Sequence, residues 1–310
     1  MQSATFTFKD PEEYEIFVYK WSPDPGQKPK AVVQIAHGMA EEASRYKGLA
    51  QALTGAGYLV YADDHRGHGR TAGTLDKVGY MGKDGFNGAV EDLRQLNQII
   101  RAEYPGLPVF LLGHSMGSFL TQQYIYKYGS DLSGAILSGT SGPQGPILSL
   151  GRFLARLVII FKGAQTPSPF LDQLTFGSYN QRFKPNRTRF DWLSRDEAEV
   201  DAYLANPFCG TIFSAGYFYD LCGGLQQIHW IQNQRKIPTN LPIYAFSGTM
   251  DPVGRFTRTV RRLLDTYQQL NIRDVTYKFY PEGRHEMLNE INRDEVIRDL
   301  IAWLDKHVEG

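Results

Sequence analysis

Short apolar runs alternate with longer stretches of helical periodicity along most of the chain. The runs Thr5–Lys9, Glu15–Trp21, Ala31–Ala36, Tyr58–Asp63, Pro108–Leu112, Gly134–Ser138, Ile243–Ser247 and Val275–Tyr280 have the length and apolar content of strands. Between them, Glu42–Thr54, Gly85–Glu103, Met116–Tyr128, Arg255–Leu270 and Arg293–His307 carry apolar residues at the spacing of one helix face. Leu53-Thr54-Gly55-Ala56-Gly57 is a helix stop followed by a turn. Strands alternating with helices imply parallel pairing through right-handed crossovers. The first two strands have no helix between them, so an antiparallel hairpin should open the sheet. The expected fold class is α/β, with a mostly parallel sheet of eight strands.

The alternation breaks after Gly139 and resumes at Leu241. An insertion that interrupts a sheet and then returns to it is expected to lie over the sheet edge as a mainly helical lid. The division is a core of 1–142 and 237–310, with a lid of 143–236. Within the lid, Ser194-Arg195-Asp196-Glu197 has the form of a capping box opening a short helix to Leu204. Leu148–Phe161 is apolar, with Arg152 and Arg156 four residues apart and so on one helical face. Such a helix rests either on the core, on a second copy, or transiently on a membrane surface. The basic face is thin, which favours packing.

Composition narrows the function classes. Of 310 residues, 42% are hydrophobic and 21% charged, ordinary for a folded protein. Lys plus Arg and Asp plus Glu are both 33, and a net charge of zero argues against nucleic acid as partner. The N-terminus lacks a basic and an apolar leader segment, and no apolar stretch approaches the ~20 residues of a membrane span. A helix over Thr211–Leu225 would set Cys209 and Cys222 roughly 20 Å apart, beyond disulfide reach. Both are read as reduced thiols of a cytoplasmic protein.

The strongest chemical signal is Gly113-His114-Ser115-Met116-Gly117, a G-x-S-x-G run between an apolar strand and a helix. The glycines allow a sharp turn that lifts Ser115 above the sheet at a helix N-terminus. A serine hydroxyl needs a base, and the base needs an orienting carboxylate. Asp251 follows the seventh strand and His285 the eighth, in the order serine, acid, histidine. Glu282 sits very close to the histidine in sequence and Asp265 lies inside a helix, so both are weaker acids for the role. The oxyanion donors are expected to be the backbone N–H groups of Met116 and of Met39, in the loop after the third strand. His65 and His68, beside Asp63 and Asp64, have one spacing a metal could use, but Gly67 and Gly69 favour a structural loop. No metal or organic cofactor is expected.

On these residues the sequence resembles the α/β-hydrolase superfamily, and within it the bacterial monoacylglycerol lipase and lysophospholipase-like group of the serine aminopeptidase S33, or Hydrolase-4, type. The resemblance spans nearly the whole chain. It rests on His37-Gly38, Asp64-His65-Arg66-Gly67-His68-Gly69, the Ser115 motif, Asp251-Pro252, and, in the lid, Leu193-Ser194-Arg195-Asp196 and Asn206-Pro207-Phe208-Cys209-Gly210. The group usually has H-G-x-G-E-H after the third strand. Here Ala40 replaces a glycine and Glu42 a histidine. The resemblance implies a serine hydrolase acting on small-molecule or lipid esters with an apolar acyl chain. An aminopeptidase or amidase would use the same triad, with Glu197, Glu199, Asp201 or Asp220 available to hold a free amine. A non-catalytic binding module usually lacks a triad member, and none is missing. A dehalogenase is excluded because it needs a carboxylate where Ser115 stands.

Overall fold

A computed structural model describes residues 1–308 of the chain. Its strands are β1 (Gln2–Lys9), β2 (Glu15–Ser22), β3 (Ala31–Ala36), β4 (Tyr58–Asp63), β5 (Val109–His114), β6 (Gly134–Ser138), β7 (Ile243–Gly248) and β8 (Val275–Tyr280). They form one sheet in the order β1-β2-β4-β3-β5-β6-β7-β8. The opening hairpin is antiparallel, β2 also meets β4 antiparallel, and every later pairing is parallel. β3, β4, β5, β6 and β7 are buried at every position. Strands covered on both faces lose the alternation of apolar and polar residues, which explains their continuous apolar runs.

The helices are α1 (Lys47–Gly55), α2 (Gly85–Glu103), α3 (Met116–Tyr128), α4 (Ile147–Lys162), α5 (Pro169–Phe176), α6 (Glu197–Ala205), α7 (Ala215–Ile228), α8 (Ile231–Gln234), α9 (Arg258–Gln269) and α10 (Arg293–Val308). One apolar core joins a sheet face to residues of α2, α3, α7 and α9. The other joins the opposite face to α1 and α10. Helices α4 to α8 all fall between β6 and β7, within the expected insertion.

Four local expectations are corrected. The helix expected from Glu42 begins as a 3-10 turn, Ala43–Tyr46, capped by the Glu42 carboxylate on the Ser44 amide at 2.8 Å. α9 starts at Arg258 rather than Arg255, because Arg255, Phe256 and Thr257 are all left-handed. Asp196, not Ser194, caps α6. Its side chain accepts from the Ala198 amide at 3.1 Å, while the Ser194 hydroxyl donates to the Asn289 carbonyl at 2.8 Å. α7 starts at Ala215, where the Ser214 hydroxyl caps it, so Cys209 lies outside that helix; both cysteines are free.

Arg152 and Arg156 also part company. The Arg152 guanidinium lies over the Tyr219 ring of α7, 4.5 Å from its centroid, while Arg156 faces outward. α4 therefore packs on another insertion helix, and Ala155 is its one buried residue. Its outer face is more apolar than basic, exposing Ile147, Leu150, Phe153, Ile160 and Phe161 beside Arg156. No helix among the described residues is long and apolar enough to cross a membrane.

Candidate active site

β5 ends at His114 and α3 begins at Met116, so Ser115 alone makes the turn. Its φ is +51° and ψ −116°, a conformation that L-residues adopt only under constraint. The constraint comes from its neighbours. A Cβ at residue 117 would collide with the Ala36 carbonyl of β3, and one at 113 with the Gly117 carbonyl. Glycine at both positions lets α3 start against the sheet. Ser115 is the one residue from Val109 to Tyr126 that is not buried.

The loops after β7 and β8 meet at Gly248, where a side chain would collide with the Gly283 carbonyl, and Met250 N–H donates to that same carbonyl at 2.9 Å. This close approach brings Asp251 to His285. Asp251 Oδ1 lies 3.0 Å from His285 Nδ1 and also accepts from the Val253 amide at 2.9 Å; Ser247 Oγ lies 3.3 Å from Oδ2. Asp251 is fully buried and His285 nearly so. An ionised carboxylate only accepts, so the imidazole proton sits on Nδ1 and Nε2 is left as a base. Burial alone would lower the His285 pKa, but the charges of Asp251, Glu286 and Glu41 and the Asp251 hydrogen bond raise it above its ordinary value. The neighbouring His114 ring, 4.8 Å away, is held neutral by burial, its pKa pushed down to about 3.

Ser115 and His285 line one cavity of about 300 Å³, together with Met39, Phe176, Trp192, Leu193 and Tyr203. Glu282 is exposed and meets Arg195 at 3.6 Å, and Asp265 faces solvent on α9. Neither approaches His285 within hydrogen-bond distance, which leaves Asp251 as its carboxylate.

The loop expected to supply an oxyanion donor follows β3. Met116 N–H, first in α3, and Met39 N–H find no protein acceptor among the described residues. Gly38 N–H is taken by Glu41 Oε1 at 2.5 Å, and Glu41 also accepts from Tyr46 and Arg45. Arg45 reaches onward to both oxygens of Glu286, at 2.9 and 2.7 Å. The Arg45 guanidinium thus ties the loop after β3 to the residue beside His285. Burial raises the Glu41 pKa, while Arg45 holds Glu286 down at about 2.

The Asp64-His65-Arg66-Gly67-His68-Gly69 loop is scaffolding. Asp64 accepts the amides of Ala43 and Arg70 at 2.8 and 2.7 Å, and a side chain at residue 69 would collide with its carboxylate. Arg66 is held by Asp92 at 2.6 Å and by Asp10. The His65 ring stacks on His37 at 4.1 Å and pairs with Asp63 at 2.8 Å. No group of three His, Cys, Asp or Glu side chains suited to a metal exists among the described residues.

Arg45, Glu286, Trp192 and Tyr203 were not singled out by sequence reasoning. Three of them border the lid motifs on which the resemblance rests: Trp192 precedes Leu193, the Leu193 carbonyl accepts from Glu286 N–H at 2.7 Å, and Gly210 N–H donates to the Tyr203 oxygen at 3.1 Å. Those motifs held the signal, although not the contact.

A strand–serine–helix elbow beside a carboxylate-paired histidine, on this sheet, defines an α/β-hydrolase. A solved carboxyl esterase from Bacillus coagulans superposes with a TM-score of 0.91 at 30% identity over 99% of both chains. Residues 27–292 match the Hydrolase_4 family, described as serine aminopeptidase, S33, and the chain belongs to that family. It is 32% identical to a monoacylglycerol lipase of Mycolicibacterium smegmatis, over 93% of this chain and 92% of that protein. It is 31% identical to the phospholipase YtpA of Bacillus subtilis, over 94% and 100%.

Proposed function

We propose that this protein hydrolyses carboxylic esters with an apolar acyl chain, of the monoacylglycerol or lysophospholipid kind, through an acyl-enzyme on Ser115. The observation that carries the reading is the buried Asp251–His285 pair opening into the same cavity as the strained Ser115. Ser115 Oγ attacks the ester carbonyl carbon as His285 Nε2 takes its proton. The oxyanion is held by the Met116 and Met39 amides. The carbonyl carbon–alkoxy bond then breaks, and His285 gives its proton to the leaving alcohol. Water, deprotonated by His285, attacks the acyl-enzyme and releases the acid and Ser115.

Ester rather than peptide chemistry is supported by where Glu197, Glu199, Asp201 and Asp220, the four acids available to hold an amine, lie. Asp201 pairs with Arg187 at 2.6 Å, Glu197 with Arg187 at 3.8 Å, and Glu199 with Arg293 at 3.7 Å. Asp220 accepts from Gly85 N–H at 2.9 Å. None of the four lines the cavity; Asp172 of α5 does, its pKa raised by burial. The Phe176, Trp192 and Leu193 wall suits an acyl chain, and residues 143–236 serve as the lid. Two free thiols suit a reducing cytoplasm. A matched panel of long-chain esters, amides and aminoacyl amides, with fluorophosphonate labelling, tests the reading. Turnover of the esters and labelling at Ser115 are expected; preference for aminoacyl amides sinks the ester assignment, and absence of labelling favours a binding module.

The apolar outer face of α4 supports transient contact of the lid with a lipid surface. Phe153→Glu with Phe161→Glu is expected to cut turnover of vesicle-borne ester about tenfold and to spare a soluble short-chain ester. Equal losses on both substrates would refute the contact.

A further inference from the structure

The two departures from the family pattern, Ala40 and Glu42, are the two points at which the insertion grips the oxyanion loop. Ala40 has φ +55°, left-handed for a residue with a Cβ. Its carbonyl accepts from the Tyr203 hydroxyl at 2.7 Å and from Gly210 N–H at 3.0 Å, and Gly210 N–H also lies 3.1 Å from the Tyr203 oxygen. Glu42 Oε1 accepts from Asn206 Nδ2 at 2.9 Å. Tyr203, Asn206 and Gly210 all belong to the insertion, more than 160 residues away in sequence.

Tyr203 has little freedom to let go. It is buried, its ring meets Phe190 edge-on at 4.9 Å, and the Arg45 guanidinium lies 4.9 Å from its centroid on the other side of the network. Gly210 is at φ +68°, where an added side chain would press on Phe190. The hydroxyl is therefore aimed at the Ala40 carbonyl by packing.

The loop is pinned on both sides of Met39. Glu41 holds Gly38 N–H before it, and Tyr203 with Gly210 holds the Ala40 carbonyl after it. We infer that Tyr203 is a positioning residue: its hydroxyl, acting through the Ala40 carbonyl, sets the Met39 amide toward the developing oxyanion, so that the insertion completes the oxyanion hole as well as covering the cavity. This rests on the proposed role of Ser115 and Met39. A glycine at residue 40 would reach the left-handed region freely but would also leave it freely. Alanine is strained there, so it depends on Tyr203 to hold the conformation that aims the amide.

The test uses p-nitrophenyl acetate, whose acyl group is too short to reach along the lid wall, and the variants Tyr203→Phe, Ala40→Gly and their combination. Active sites are counted by fluorophosphonate labelling, so rates refer to folded enzyme alone. Tyr203→Phe is expected to lower kcat about tenfold to thirtyfold, with KM within twofold. The double variant is expected to retain at least threefold more activity than the product of the single effects, because glycine tolerates the left-handed conformation that alanine leaves once the hydroxyl is gone. A raised KM with unchanged kcat would make Tyr203 a substrate contact and overturn the inference, as would unchanged kinetics or strictly multiplicative effects. Failure of the wild type to label or turn over would instead overturn the serine-hydrolase reading, so the two failures are separable.

Discussion

Replacing Ser115 with alanine is expected to lower ester turnover by roughly 10⁴- to 10⁶-fold, while leaving the cavity and the fold intact. The size follows from the position. Ser115 offers the one hydroxyl at the elbow, and a methyl group there can form no acyl-enzyme. The remaining rate would come from the free amides of Met39 and Met116 acting on water, as the oxyanion donors outlive the nucleophile. Thermal unfolding should change by little, because alanine keeps the Cβ and removes only a partly exposed oxygen. Ester hydrolysis at near wild-type rate in Ser115→Ala, measured with protein free of contaminating esterase, would remove Ser115 from the mechanism.

Asp251→Asn should cost about 10⁴ in kcat, for a different reason. Asn can donate to His285 Nδ1 through its amide, which pins the proton on Nε2 and leaves no base facing Ser115. The pH dependence should move as well. In the wild type, the raised His285 pKa places the midpoint of the acid limb of kcat/KM above 6.5, and activity is lost as pH falls through it, because the protonated imidazole cannot accept. In the variant the largest favourable charge is gone and burial of the imidazolium dominates, so the midpoint should fall. His114 does not contribute to this limb, since it stays neutral down to about pH 3. A midpoint that stays in place in Asp251→Asn would mean that another group governs the limb.

Much of this arrangement was legible because it is local. Tyr58–Asp63, Gly134–Ser138, Gly85–Glu103 and Met116–Tyr128 begin and end where the apolar pattern puts them. Asp251 and His285 could be found because the chain order of strand-end loops in a parallel sheet fixes where they emerge, and their distance of 3.0 Å follows from Gly248 letting two loops touch. The insertion was harder. Its helices settle on other helices rather than directly on a sheet, α7 on α2 and α3 and α4 on α7, so Arg152 turns inward to Tyr219 by a tertiary contact that no spacing along α4 announces. The same holds for the Ala40 carbonyl, which accepts from a tyrosine hydroxyl 163 positions away. A backbone donor such as Met39 N–H has no side-chain signature at all. Asp196 took the α6 cap from Ser194 because the serine hydroxyl was drawn to Asn289 instead.

The backbone at Ser115 carries a historical meaning. Serine there is held at φ +51°, a conformation that costs a side-chain-bearing residue on the order of 1–3 kcal/mol and that glycine adopts almost freely. A lineage released from the need for a hydroxyl would gain stability by a serine-to-glycine change, and drift would tend to take it. Serine at this position therefore stands at a cost in stability, which the role proposed for its oxygen offsets.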